Sequence, residues 1–165
     1  MNAIKSEDAP HYEVKVQNTD DEDLIVKQAM LILQGRLHDK PDVLISPKMV
    51  SQYLITRLSA LEHEVFGCIY LNIRNQVIIM GELFRGTLGA ASVYPREVVK
   101  EVLKHNAASV ILYHNHPSGS FYPSAADISI TNRLRDALEL IDVRILDHLI
   151  VGGVTTSSFA ERGLL

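Results

Sequence analysis

The chain has 165 residues, 47% of them apolar and 22% charged, the size and make-up of one globular domain with its own core. A net charge of −4 carries no basic excess and argues against nucleic acid as a direct ligand. Cys68 is the lone cysteine, which excludes an intrachain disulfide and a thiolate-rich zinc site. No run reaches the roughly 18 apolar residues of a membrane span. Met1–Asp8 lacks the apolar core of a signal peptide, so the expected location is the cytoplasm, with no membrane partner.

Residues 1–20 are polar and aperiodic and are expected to form a flexible arm, with Tyr12–Val16 alternating as a short edge strand. Asp20–Asp23 suits the positive end of a helix dipole. Leu24, Ile25, Ala29, Leu31 and Ile32 follow, predicting a helix to Leu37 within an N-terminal helix-and-linker segment, 21–45. The remaining 46–165 reads as the main domain. Ser46-Pro47 is a helix start, and Val50, Tyr53, Leu54, Leu58 and Leu61 recur at helical spacing towards Glu62–Glu64. An apolar strand from Val65, a turn at Asn75-Gln76 and a second strand from Val77 predict a hairpin over 65–83. Phe84–Val93, with Gly86 and Gly89, predicts a third strand with a bend.

Pro95 opens a helix to Asn106, and Ser109–Tyr113 is a short strand apolar on both faces. Ser124 caps a helix carrying Ile128, Ile130, Leu134, Leu138 and Ile141. Val143–Val151 reads as a strand pair or one long strand, and Thr155–Phe159 as a final short one. Partial alternation plus a hairpin predicts an α/β protein with a mixed sheet covered by helices on both faces.

The chemistry gathers at Tyr113-His114-Asn115-His116-Pro117-Ser118-Gly119, followed by Pro123-Ser124-Ala125-Ala126-Asp127. Residues two apart on a strand point the same way, so His114 and His116 can converge on one ion. Ser124 as cap places Asp127 in the first helical turn, where its carboxylate can bend back to the strand end. Taken alone, Ser-x-x-Asp is also a capping pair. Two imidazoles and a carboxylate would make three ligands with one position open, the pattern of a catalytic zinc. Hydrolysis would further need a base, for which Glu62, Glu64, Glu82 and Glu97 are candidates, and an oxyanion donor, a role within reach of the Ser124 hydroxyl. Asp147-His148 is a candidate pair behind the ligands, with Asp147 placed to accept a hydrogen bond from a ligand histidine. Phe121 and Tyr122 either rim the substrate site or pack the loop.

The spacing His-x-His, seven residues, Ser, two residues, Asp resembles the JAMM signature of MPN-domain metalloproteases. The wording around it is similar to the RadC family of bacterial proteins: Phe84-Arg85-Gly86-Thr87, Pro95-Arg96-Glu97-Val98-Val99, Asp142–Gly152 and Ser158-Phe159-Ala160-Glu161-Arg162-Gly163. The likeness covers about residues 45–165. It implies a three-layer α/β/α fold with a central mixed sheet, like that of cytidine deaminases, and zinc held by His114, His116 and Asp127. It also implies Glu64 as base and Ser124 as oxyanion donor. A cytidine deaminase itself is excluded, since Pro-Cys-x-x-Cys is absent. Without a clear Gly-centred helical hairpin in 20–61, the chain resembles the short, MPN-only members.

Two readings of function follow. One is a zinc-dependent metallohydrolase acting on a peptide or isopeptide bond of a protein or peptide substrate. The other is a non-catalytic zinc-binding module serving in protein interaction or DNA repair. Substrate and oligomeric state, a homodimer included, stay open.

Overall fold

The computed structural model describes residues 19–38, 47–86 and 92–165. Among them run α1 (Thr19–His38), α2 (Pro47–Leu58), β1 (Val65–Leu71), β2 (Val77–Arg85), α3 (Pro95–Lys104), β3 (Ser109–Asn115), α4 (Ala125–Glu139), β4 (Arg144–Gly152) and β5 (Thr155–Ser158). The expected arm, its Tyr12–Val16 strand and the Ser46 cap lie outside the described residues. So does the middle of the expected third strand, residues 87–91; of the rest, Phe84 and Arg85 belong to β2, and Gly86, Ser92 and Val93 to no strand. The second helix stops at Leu58, four residues short of Glu62, and Val143–Val151 resolves into one strand, β4.

The strands line up as β2-β1-β3-β4-β5. β3 and β4 run parallel, joined by the α4 crossover, and the other neighbours are antiparallel, giving the mixed sheet. Strand alternation splits the side chains between two cores. Val65, Ile69, Leu71, Tyr113, Leu149 and Val151 pack with Val50, Tyr53, Leu54 and Leu58 of α2. Phe66, Cys68, Tyr70, Val110 and Leu112 pack on the other face with Val98 and Val102 of α3 and Leu134 and Leu138 of α4. The product is an α/β/α sandwich. Each wholly buried leucine in it contributes about 1.5–3 kcal/mol of transfer free energy.

Cys68 lies inside the second core, and burial pushes its thiol up to about 12, so it supplies no thiolate. Gly67 is required where it stands, because a Cβ would overlap the Tyr113 ring, whose hydroxyl donates to the Gly81 carbonyl at 3.1 Å. Leu33 of α1 packs against the core on the α2 side, and with Ala29 and Ile32 it lines a groove shared with Gln52, Ile55 and Thr56 of α2, while Leu24, Ile25 and Leu31 are exposed. The apolar residues of α1 are spread round the axis rather than gathered on one stripe. No helix among the described residues is long and apolar enough to cross a membrane.

Candidate metal centre

His114 is the second-last residue of β3, and His116 stands one residue beyond its end. The extended course continues because the His116 N–H donates to the Val151 carbonyl at 2.9 Å. Both histidines therefore point to the face covered by α4. There the N-cap Ser124 accepts from the Asp127 N–H at 3.1 Å, and the Asp127 carboxylate accepts from the Ser124 N–H at 2.7 Å, a complete capping box. The capping geometry also delivers the carboxylate to the histidines. His114 Nε2 lies 2.9 Å from His116 Nε2 and 3.2 Å from Asp127 Oδ1, and His116 Nε2 lies 3.4 Å from Asp127 Oδ2. The capping and metal readings are thus one arrangement. The three residues could hold a metal ion, with their ligand atoms all within 4.8 Å of one another.

A chain of hydrogen bonds dictates which ring nitrogens carry protons. The Thr131 hydroxyl donates its one proton to the Asp127 carbonyl at 2.5 Å, so it must accept from His148 Nδ1 at 2.7 Å. His148 Nε2 is then the acceptor that faces His114 Nδ1 at 2.8 Å, and His114 Nδ1 is the donor. Likewise His116 Nδ1 faces the Ser120 carbonyl at 2.8 Å, which can only accept. With both rings neutral, the two Nε2 atoms are left with lone pairs aimed at one point. Two lone pairs 2.9 Å apart repel unless a cation stands between them, either a proton or a metal.

The electrostatics agree. Burial raises the Asp127 carboxyl, but hydrogen bonds from His114 and His116 and the nearby imidazole charge outweigh it and hold it far below the usual carboxylate range. The Asp127 hydrogen bond raises His116 above its ordinary value against partial burial, with help from the Ser120 carbonyl and the Glu64 charge. Burial holds His148 well below its ordinary value, aided by His114, so its neutral form is the one that relays. A carboxylate and two imidazole lone pairs are the donor set of zinc and its neighbours.

Glu64 stands just before β1, two residues from Phe66, whose partner is His114; His116 lies two residues beyond His114, so the antiparallel register carried past the strand ends would bring the two together. It lines a cleft of about 500 Å³ with His116, Ser124 and Asp127. The other candidate bases lie elsewhere: Glu62 is exposed, Glu82 pairs with Arg85, and Glu97 pairs with Lys100.

Sequence reasoning missed Asn115, which lies between the two histidines and points the opposite way. Its Oδ1 accepts from the Val65 N–H at 2.8 Å and its Nδ2 donates to the His63 carbonyl at 3.0 Å. One buried amide thus grips the chain on both sides of Glu64. Ser124 lines the same cleft, and its hydroxyl proton has no acceptor among the described residues.

Asp147 departs from expectation. A register shift in the β3–β4 pairing sets it opposite Ile111, on the α2 face. Its oxygens accept from the Ser158 hydroxyl at 2.6 Å and from the N–H groups of His148 and Ala160. No candidate ligand is within its reach, and His148 alone stands behind His114. Phe121 and Tyr122 stack at 4.5 Å. Tyr122 lines the cleft under the Arg162 guanidinium, 5.4 Å from its ring centre, so this residue both rims the site and packs the loop.

Sheet, helices and His-His-Asp cluster together fit a metal-dependent, hydrolase-like α/β module. Residues 44–164 match the model of the RadC-like JAB domain, and the chain belongs to that family. A UPF0758 protein of Nitrosococcus oceani is 58% identical over 136 residues, covering 79% of this chain and 61% of the relative. One from Janthinobacterium sp. is 58% identical over 120 residues, covering 73% and 54%. One from Marinobacter nauticus is 49% identical over 142 residues, covering 84% and 63%. The chain spans little more than half the length of such relatives, and their names state no activity.

Proposed function

We propose that this chain is a zinc-dependent hydrolase of peptide or isopeptide bonds, with His114, His116 and Asp127 as metal ligands. The observation that carries the reading is the pair of Nε2 atoms converging beside a carboxylate, in a cleft that Glu64 also lines. Zinc bound there would act as a Lewis acid and lower the pKa of a water at its open position.

The chain's own residues supply the rest. Glu64, held by Asn115 at both flanks, takes a proton from water in the cleft and hands it to the departing amine. Ser124 Oγ accepts from the Asp127 N–H, so its own proton is left to donate to the oxyanion that forms as the carbonyl is attacked. Thr131 and His148 keep the Nδ1 proton on His114, and Ser120 does the same for His116.

The test is a screen of the zinc-loaded chain against peptide and isopeptide substrates, alongside Glu64→Gln. The variant should keep its zinc and lose at least a hundredfold in rate. Equal rates in variant and parent would remove Glu64 from the base role. Zinc binding with no turnover of any substrate in the screen would favour a non-catalytic module.

A further inference from the structure

We propose that Arg133 selects substrates carrying a carboxylate about two to three residues, along an extended chain, from the bond that is cut. The proposal rests on the hydrolase reading above and adds the class of substrate.

α4 turns one stripe toward the cleft: Ala126 and Asp127 in the first turn, then Ile130, then Arg133. From Asp127 to Arg133 the helix rises about 9 Å, the reach of two to three extended residues. Between them the cleft is lined by the apolar side chains of Phe66, Val93 and Ile130. The two ends therefore differ in charge, with Glu64 and Asp127 at one and a guanidinium at the other.

Among the described residues Arg133 is the only lysine or arginine lining this cleft, and it has no carboxylate of theirs within 4.0 Å. Other described cations, such as Arg74 and Arg144, also lack such a partner, so what sets Arg133 apart is its place on the cleft wall. Residues 87–91, next to Val93 in the chain, are Thr-Leu-Gly-Ala-Ala and contain no acid. An exposed planar guanidinium on a cleft wall, with no carboxylate partner among the described residues, matches a carboxylate in bidentate geometry. An apolar strip followed by that cation fits an extended peptide ending, or branching, in a negative charge. The carboxylate can come from a peptide C-terminus or from an aspartate or glutamate side chain.

Peptidyl hydroxamates, extended on either side of the chelating group, separate these sources when offered to the zinc-loaded full chain. Matched pairs carry a terminal carboxylate or carboxamide at the first, second or third residue, or glutamate against glutamine within the chain. Calorimetry on the parent should show a carboxylate bound about tenfold tighter than its neutral match at the second or third residue. Preference for the terminal pair assigns a peptide C-terminus, and preference for the side-chain pair an internal acid. Arg133→Ala should abolish the preference and Arg133→Glu reverse it, with zinc content and far-UV circular dichroism at parental values. Equal affinities in the parent, or a preference that survives Arg133→Ala, would overturn the assignment while leaving the zinc reading intact. Loss of the zinc from the parent itself would overturn both.

Discussion

At the scale of single residues the centre is a matter of proton placement. Thr131 and His148 have no contact with the point where the lone pairs meet, yet they determine that His114 offers Nε2 there. Replacing His148 with alanine frees the His114 ring to turn and to protonate on the wrong nitrogen. Equilibrium dialysis should then show zinc affinity lower by about 10–100-fold, the usual cost of losing a partner behind a ligand. Parental affinity in His148→Ala would remove the relay from the account. Proton release supplies a second check. The Asp127 hydrogen bond raises His116 above its ordinary value in the metal-free chain, so zinc competes there with a proton held more firmly than usual. Affinity should rise with pH through the window above 6.5 and level off beyond it. Calorimetry in buffers of different ionisation enthalpy should show net proton release on zinc binding, shrinking as pH rises. The linkage has the opposite sign for the metal-free fold: the His116–Asp127 pair stabilises it fully below the unfolded pKa and is lost as pH rises through the folded one.

Elements matter because the site is assembled from three strand ends and one helix start. Asn115 ties the start of β1 to the end of β3. Asn115→Ala leaves the Val65 N–H and the His63 carbonyl without partners, and should cost about 1–3 kcal/mol in urea unfolding. Zinc affinity should hold, since both histidines keep their strand positions, while turnover falls towards that of Glu64→Gln. Gly152 plays the matching part at the end of β4. A Cβ there would meet the Ser120 carbonyl carbon at 2.5 Å and the Gly119 oxygen and Phe121 nitrogen at 2.6 Å. Gly152→Ala must push that loop away and take the Ser120 carbonyl from His116, lowering zinc affinity. Gly153, at φ 58° with open space around it, is the control. Its alanine variant should lose about 1 kcal/mol of stability and bind zinc normally.

These ties also mark where sequence reasoning stopped. His114, His116, Ser124 and Asp127 lie within fourteen residues, so local periodicity and capping chemistry could bring them together. Asn115 bonds residues 50 and 52 positions away, and its role exists only once β1 and β3 are paired. Asp147 was misplaced for a similar reason: the register shift between Val110 and Ile111 sets it on the α2 face, and no single-strand pattern contains that shift. Glu64 became separable from Glu62, Glu82 and Glu97 only through resemblance. Register supplies the physical reason, since Glu64 alone of the four lines the cleft.

On the scale of the whole molecule, the cleft opens where the sheet changes from antiparallel to parallel pairing. The carboxyl ends of β3 and β4 meet the start of β1, and the crossover helix α4 brings its N-terminus to the same place. In sheets with helical crossovers, the carboxyl ends of the strands are where ligands are held. Two separate cores fix that geometry from opposite faces, so the ligand atoms are positioned before any ion arrives. Every role assigned to these residues depends on a cation belonging between His114 and His116. Zinc stoichiometry by equilibrium dialysis and elemental analysis, on the parent chain and on His116→Ala, tests this most directly. The account predicts about one zinc per parent chain, the single open site of a three-ligand centre, and none retained by the variant after dialysis. A parent that binds no zinc, or a variant that binds as much as the parent, would contradict it.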